Sequence, residues 1–213
     1  WSPDGKTIAF LSQRESPGLD LWTMTAAGGA AKRLTTLGTL DSDYRWSADG
    51  QAIVFAAQVE ASGGSAVFTI ALAGGAQKLI GPATSFRPAW STSGREISLS
   101  KCVAGYCSFE IRSITGALLR TLNSKANVYE YRSSWSADGS RLLTTFQDLV
   151  GDGGDRLALR ASADGAATLL AGPAGISLDA VGLALGDKLA IAYGIARGTA
   201  LQKIAVPAPL KKP

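Results

Sequence analysis

Histidine is absent from the 213 residues, cysteine occurs twice, methionine once, and only 18% of positions carry charge. Without histidine the chain cannot assemble a Ser-His-Asp or Cys-His arrangement, an imidazole general base, or the commonest metal ligand. A Gly-x-Ser-x-Gly nucleophile elbow is also missing. Long apolar runs are missing as well: the stretch "AGPAGISLDAVGLALG" at 171–186 is broken by Gly, Pro and Asp, short of the roughly 18 residues that cross a bilayer as a helix. Lys and Arg number 21 against 17 acids, and they are scattered rather than clustered to track a phosphate backbone. These gaps lead us to expect no enzyme, no metal, no cofactor, no nucleic-acid partner and no membrane insertion.

What the chain has in quantity is glycine, 25 residues, and 46% hydrophobic residues, a composition of a globular chain with many tight turns. One pentapeptide recurs: "WSPDG" at 1–5, "WSADG" at 46–50, "WSTSG" at 90–94 and "WSADG" at 135–139. The tryptophans at 1, 46, 90 and 135 are spaced by 45, 44 and 45 residues, which is the signature of a repeat architecture. Each is followed by an apolar run ("TIAFL", "AIVFAA", "EISLS", "RLLTTF"), a variable loop, and a second run ("DLWTMT", "AVFTIAL", "FEIRSI", "DRLALR"). A small-residue turn and a short final run ending near Leu close the unit. Strands of this length with turns every 8 to 12 residues read as four antiparallel strands per unit, and a four-stranded unit of about 45 residues is a propeller blade.

The fold class expected is therefore all-β, a propeller of about five blades at approximately 1–36, 37–80, 81–122, 123–170 and 171–213. Within it the pentapeptide is a corner. Pro or Ala followed by Asp-Gly suits a tight turn, because Asp bonds its own backbone and Gly supplies positive φ. Each Trp is expected to bury its ring between neighbouring blades, worth about 2 to 3 kcal/mol. The fifth unit is worn: aligning "KLAIAY" at 188–193 with "RLLTTF" puts Gly182 in the Trp position. The first unit lacks the residues that precede Trp in the others, so its innermost strand is expected to be missing or truncated. Propellers normally close to protect their edges. The chain is thus expected to be a fragment, or to close its ring imperfectly, with edge-mediated self-association as one consequence.

The stretch "WSPDGKTIAFLS…DLWTMTAAGGAAKRLT" resembles the TolB-like propeller repeat, which is also found in the gating propellers of prolyl oligopeptidases and dipeptidyl peptidases. The likeness covers residues 1 to about 170 in four good copies. It implies a non-catalytic module of the bacterial cell envelope that binds proteins or peptides, in the periplasm or outside the cell. The alternative it implies is an accessory propeller that filters substrates for a serine peptidase. A purely structural surface repeat is a third reading.

Three features invite chemistry. "DLVGDGGD" places Asp148, Asp152 and Asp155 within eight residues, but the spacing is not that of a 12-residue calcium loop and a solvated loop is the preferred reading. Cys102 and Cys107 flank "VAGY" between the second and third strands of the third unit, where a hairpin can bring their Cα atoms within the roughly 4.4 to 6.8 Å a disulfide needs. A disulfide would favour an extracytoplasmic location; reduced structural thiols are the competing reading. Finally, an aromatic-Arg pair precedes Trp in three units: Tyr44-Arg45, Phe86-Arg87 and Tyr131-Arg132. On innermost strands these would gather at a channel mouth and attract carboxylates or phosphates, with the rings as anchors. Alternatively each Arg pairs with an acid such as Asp43, Glu130 or Asp179 and merely ties blades together.

Overall fold

The computed structural model describes residues 1–59, 63–122, 128–148, 155–170, 177–184, 189–195 and 199–205. All regular structure among them is strand. The first sheet holds β1 (Thr7–Ser12), β2 (Asp20–Thr25) and β3 (Lys32–Arg33). The second holds β4 (Leu40–Trp46), β5 (Ala52–Val59), β6 (Gly64–Ala71) and β7 (Lys78–Gly81). The third run comprises β8 (Ser85–Trp90), β9 (Glu96–Val103), β10 (Tyr106–Ser113) and β11 (Leu118–Leu122). The fourth comprises β12 (Val128–Trp135), β13 (Arg141–Asp148), β14 (Asp155–Ala161) and β15 (Ala167–Leu170), and the last β16 (Ser177–Ala184), β17 (Leu189–Ile195) and β18 (Thr199–Ala205). Each sheet is a meander whose neighbours follow chain order, and a single parallel bridge, Cys107 to Tyr129, joins the third run to the fourth. As expected, the first sheet has no strand inside β1 among the described residues.

The chain divides into two compact units, Trp1–Cys102 with Glu110–Arg120, and Val103–Phe109 with Thr121–Pro213. In the first unit the apolar run of β5 explains itself. Successive side chains of a strand point to opposite faces. Ile53, Phe55 and Ala57 accordingly join Ala9, Leu21, Leu34, Leu40 and Ile70 in one core cluster. Val54 and Ala56 turn the other way, into a cluster with Val67, Ile80, Ile97 and Leu99. A strand buried on both faces needs no polar alternation, and β5 shows none until Gln58. Each of these fully buried Val, Ile, Leu and Phe side chains contributes about 1.5 to 3 kcal/mol.

The corners are built by atoms that the Asp-Gly reading only half anticipated. Ser47 is the hub of the second: its hydroxyl donates to Asp49 Oδ1 at 2.6 Å and accepts the Ala52 N–H at 3.0 Å. Its backbone N–H donates to the Ala52 carbonyl at 2.8 Å, and its carbonyl accepts the Gly50 N–H at 3.0 Å. Ser2 repeats this pattern with Asp4 and Thr7, and Ser136 with Asp138 and Arg141. The closing glycines, Gly5, Gly50, Gly94 and Gly139, have φ of 70, 69, 68 and 72°, the left-handed region that favours glycine.

Burial of the corner tryptophans is graded. Trp135 is 7% exposed and Trp46 and Trp90 are half-buried, but Trp1, with no inner strand ahead of it in this chain, is 71% exposed. In the last sheet the expected alignment shifts by two residues. Trp46 faces Ile53, Trp90 faces Ile97 and Trp135 faces Leu142. The matching partner, Leu189, faces Ala184 rather than Gly182. The connection between β16 and β17 is shorter, which moves the register.

Candidate binding site

Each described inner strand is irregular ahead of its corner. The register shifts between Leu40 and Tyr44 in β4, between Phe86 and Ala89 in β8, between Glu130 and Arg132 in β12 and between Leu178 and Ala180 in β16. A bulge leaves residues unpaired, bends the strand and re-aims side chains. Arg87 and Tyr131 therefore lie within the irregular stretch of their strands, whereas Tyr44 and Arg45 are paired in register just past one.

In the first unit Tyr44 is half-buried against the cluster around Phe55, and its hydroxyl donates to the Ala9 carbonyl at 3.1 Å, tying β4 to β1. Arg45 is exposed, and its guanidinium donates to the Tyr44 carbonyl at 2.8 Å. No acid pairs with Arg45 among the described residues. Its own carbonyl accepts the Trp90 indole N–H at 3.3 Å, which sets β8 beside β4. Arg87 carries a φ of 51°, rare for a residue with a side chain and held here immediately before Pro88. Its guanidinium carbon lies 5.9 Å from the Phe86 ring centroid, and its Nε lies 3.7 Å from Asp43 Oδ2.

In the second unit Tyr131 is 7% exposed, with its ring 5.9 Å from that of Tyr129. Arg132 is half-buried and faces Thr145 across the ladder. Glu130 is fully buried and paired with Arg160. Asp43 on β4 thus meets Arg87 on β8; the side chain of Asp179 lies outside those described.

The Trp-anchored register also separates the three arginines. Arg45 stands one residue before its Trp, whereas Arg87 and Arg132 stand three before theirs. The residue three before Trp46 is Asp43. One repeat position therefore carries Asp43, Arg87 and Arg132 in successive sheets. Counting back from each Trp would have found this in the sequence alone.

The corner carboxylates are electrostatically tuned. The Ser136 hydroxyl, followed by the Ser140 N–H and hydroxyl, holds Asp138 down at about 2 from an ordinary 3.8. Hydrogen bonds from Ser2 and Ser47 likewise lower Asp4 and Asp49. Cys102 and Cys107 are disulfide-bonded, at the end of the β9–β10 hairpin. That hairpin turns through Ala104 and Gly105, with φ of 50 and 85°, the pair of positive values a two-residue turn requires. The Asp148–Asp155 loop, read as solvated rather than calcium-binding, falls largely on residues 149–154, outside the described residues. Among those described, no group of three His, Cys, Asp or Glu side chains is placed to hold a metal, and no helix is long and apolar enough to cross a membrane.

The profile of the TolB beta propeller domain matches residues 1–171. The chain belongs to this family. The structure of TolB from Acinetobacter baumannii superposes with a TM-score of 0.76 at 17% identity, covering 96% of this chain and 50% of that one. The β-propeller domain of the Trilobed protease from Pyrococcus furiosus, described as having an open velcro topology, gives 0.67 at 13% identity over 95% of this chain and 64% of that one. In sequence, the uncharacterized peptidase YuxL of Bacillus subtilis is 49% identical over 37 residues, 17% of this chain and 6% of that one. The chain thus spans half the length of the TolB structure it matches. Its fold is an all-β, TolB-type propeller, and no strand pairing among the described residues joins its first sheet to its last.

Proposed function

We propose that this TolB-type propeller is a non-catalytic binding module for a protein or peptide bearing carboxylates, working outside the cytoplasm. The observation that carries the reading is Arg45. It is exposed, has no acidic partner among the described residues, and lies on an inner strand beside the one that holds Arg87 on a bulge. Guanidinium groups fixed by their own backbone are suited to bidentate recognition of carboxylates. Tyr44 and Tyr131 serve packing more than contact, which leaves Phe86 as the ring beside a cation. The disulfide supports the location, since such bonds persist in oxidising compartments.

A fluorescein-labelled hexaglutamate peptide titrated into the chain tests this, with hexalysine as control. Arg45→Glu combined with Arg87→Glu is expected to weaken hexaglutamate binding about tenfold or more while the circular dichroism spectrum stays unchanged. Unchanged affinity in the folded double variant would sink the proposal. The second reading, a substrate filter for a serine peptidase, is favoured by the YuxL match and the Trilobed protease superposition. The intact mass of the natively expressed protein separates the two. A mass well above 21.9 kDa with a Gly-x-Ser-x-Gly hydrolase domain in the added sequence would favour the filter.

A further inference from the structure

Left-handed backbone on a residue other than glycine occurs at three places among the described residues: Thr84 at φ 68°, Arg87 at 51° and Ala104 at 50°. Thr84 stands immediately ahead of β8, Arg87 lies within it, and Ala104 turns the β9–β10 hairpin. All three thus belong to the third run of strands, which also carries the Cys102–Cys107 disulfide. Such conformations persist only where the surroundings over-determine them, and what surrounds the first two is the end of β9. The Cys102 N–H donates to the Thr84 carbonyl at 3.0 Å, and the Lys101 ammonium donates to the Ala83 carbonyl. Lys101 and Ser100 face Ser85 and Phe86 across the ladder; pairing then lapses at Arg87 and Pro88 and resumes at Ala89, opposite Ser98. The second sheet makes the corresponding tie, from the Gln58 N–H to the Thr39 carbonyl at 2.9 Å. It does so with no cysteine and, among the described residues, with positive φ at glycines alone.

We propose that the Cys102–Cys107 bridge is a positioning element of the binding site: it fixes the end of β9, and β9 in turn holds the Thr84–Arg87 segment on the path that presents Arg87 to a carboxylate of an acidic peptide. This rests on the acidic-partner reading above. A cross-link over so short a hairpin removes less unfolded-state entropy than one over a long loop, so its larger effect is local. It keeps β9 from fraying at Lys101 and Cys102, the two residues that anchor Ala83 and Thr84. Once the bridge is broken, the strand end opens, the segment relaxes toward extended backbone, and the guanidinium spreads over many positions. A group held in place beforehand loses less freedom on binding. Arg45 lies on β4, whose tie to β5 involves no cysteine, so its share of the binding stays. Reduction by a dithiol reverses the device: the S–S bond breaks, both cysteines become thiols with two electrons and two protons from the reductant, and the reductant's own sulfurs close into a disulfide.

The test is hexaglutamate titration of the full 213-residue chain, oxidised and after reduction with dithiothreitol, beside Cys102→Ser/Cys107→Ser, with the arginine Nε–H cross-peaks followed by heteronuclear NMR. The peaks lost in Arg87→Gln and in Arg45→Gln assign the two arginines. In the oxidised chain the peptide is expected to shift both peaks. Without the bridge the Arg45 peak still shifts, the Arg87 peak hardly responds, and affinity falls about threefold or more. Unchanged affinity without the bridge, or an Arg87 peak that responds as in the parent, would overturn the positioning role and leave the acidic-partner reading standing. So would equal loss of both responses, which reports general loosening, or an oxidised chain that binds while its Arg87 peak stays silent. Failure of the oxidised chain to bind hexaglutamate would overturn the two readings together. Thermal unfolding checks each sample, and a chain that unfolds once the bridge is removed by either route would show the bridge to be a staple of the fold and end the proposal.

Discussion

The corner after each tryptophan and the inner-strand segment before it lie only a few residues apart, yet they behave oppositely. Around Ser2, Ser47 and Ser136 the same four hydrogen bonds recur, with Asp at the same offset. The third corner keeps the frame and substitutes Ser93 for Asp; its hydroxyl lies 3.1 Å from Ser91 and accepts the Arg95 N–H at 3.4 Å. Three residues ahead of the Trp, by contrast, the chain places Asp43, Arg87 and Arg132. A corner must satisfy the backbone groups of its own turn, and only a few side chains reach them. A strand end ahead of the corner is not bound to one turn geometry, so its residues can differ from blade to blade. The proposed recognition rests on positions that vary, and stability on those that repeat.

The largest expected effect falls on the hub of a corner. Ser136→Ala removes a buried hydroxyl that both donates to Asp138 and accepts the Arg141 N–H, and should lower stability by about 1 to 2 kcal/mol, seen as a fall in Tm of about 2 to 8 °C by circular dichroism. No loss would show the repeat to be ornament. Acid comes next. Asp138 titrates lower in the folded chain than its ordinary 3.8, so its contribution is complete above about pH 4 and drains away as pH falls toward 2. Urea unfolding of Asp138→Asn should then show a shallower acid limb than the parent, and an identical limb would remove the corner carboxylates from the account. In the third corner, Ser93→Asp should restore the shorter contacts of its neighbours and raise stability by about 0.5 kcal/mol or slightly more. The smallest stability effect belongs to the other region: Arg45→Gln should move stability by less than about 0.5 kcal/mol while weakening hexaglutamate binding. A large fall in Tm with binding intact would reverse the division of labour drawn here.

Much of this was legible in order along the chain. The Trp spacing, the alternating runs and the glycine turns predict strands, blades and corners because each depends on residues within a few positions of one another. The disulfide was legible for a similar reason: two cysteines five positions apart sit on facing arms of a short hairpin, and the structure decides for the bridge over the competing reading of reduced thiols. The serine of each Trp-Ser dyad was visible four times, but its bonds to Asp and to the N–H five residues on emerge only once the turn is drawn. The register slip at Ala184 was hidden because a two-residue change in loop length leaves the strand pattern intact.

The candidate site was less legible. Three aromatic-Arg pairs looked equivalent by adjacency, yet counting back from each Trp gives Arg45 a different position from Arg87 and Arg132, and brings Asp43 into their series. By itself the sequence determined the repeat, its all-strand architecture and its turns, because local backbone geometry and side-chain periodicity specify those. The tertiary structure decided that Asp43 meets Arg87, that Tyr44 and Tyr131 turn into packing, and that Arg45 stays exposed. Those outcomes depend on how neighbouring strands are spaced and bulged, and distance between strands is not written in the order of the residues.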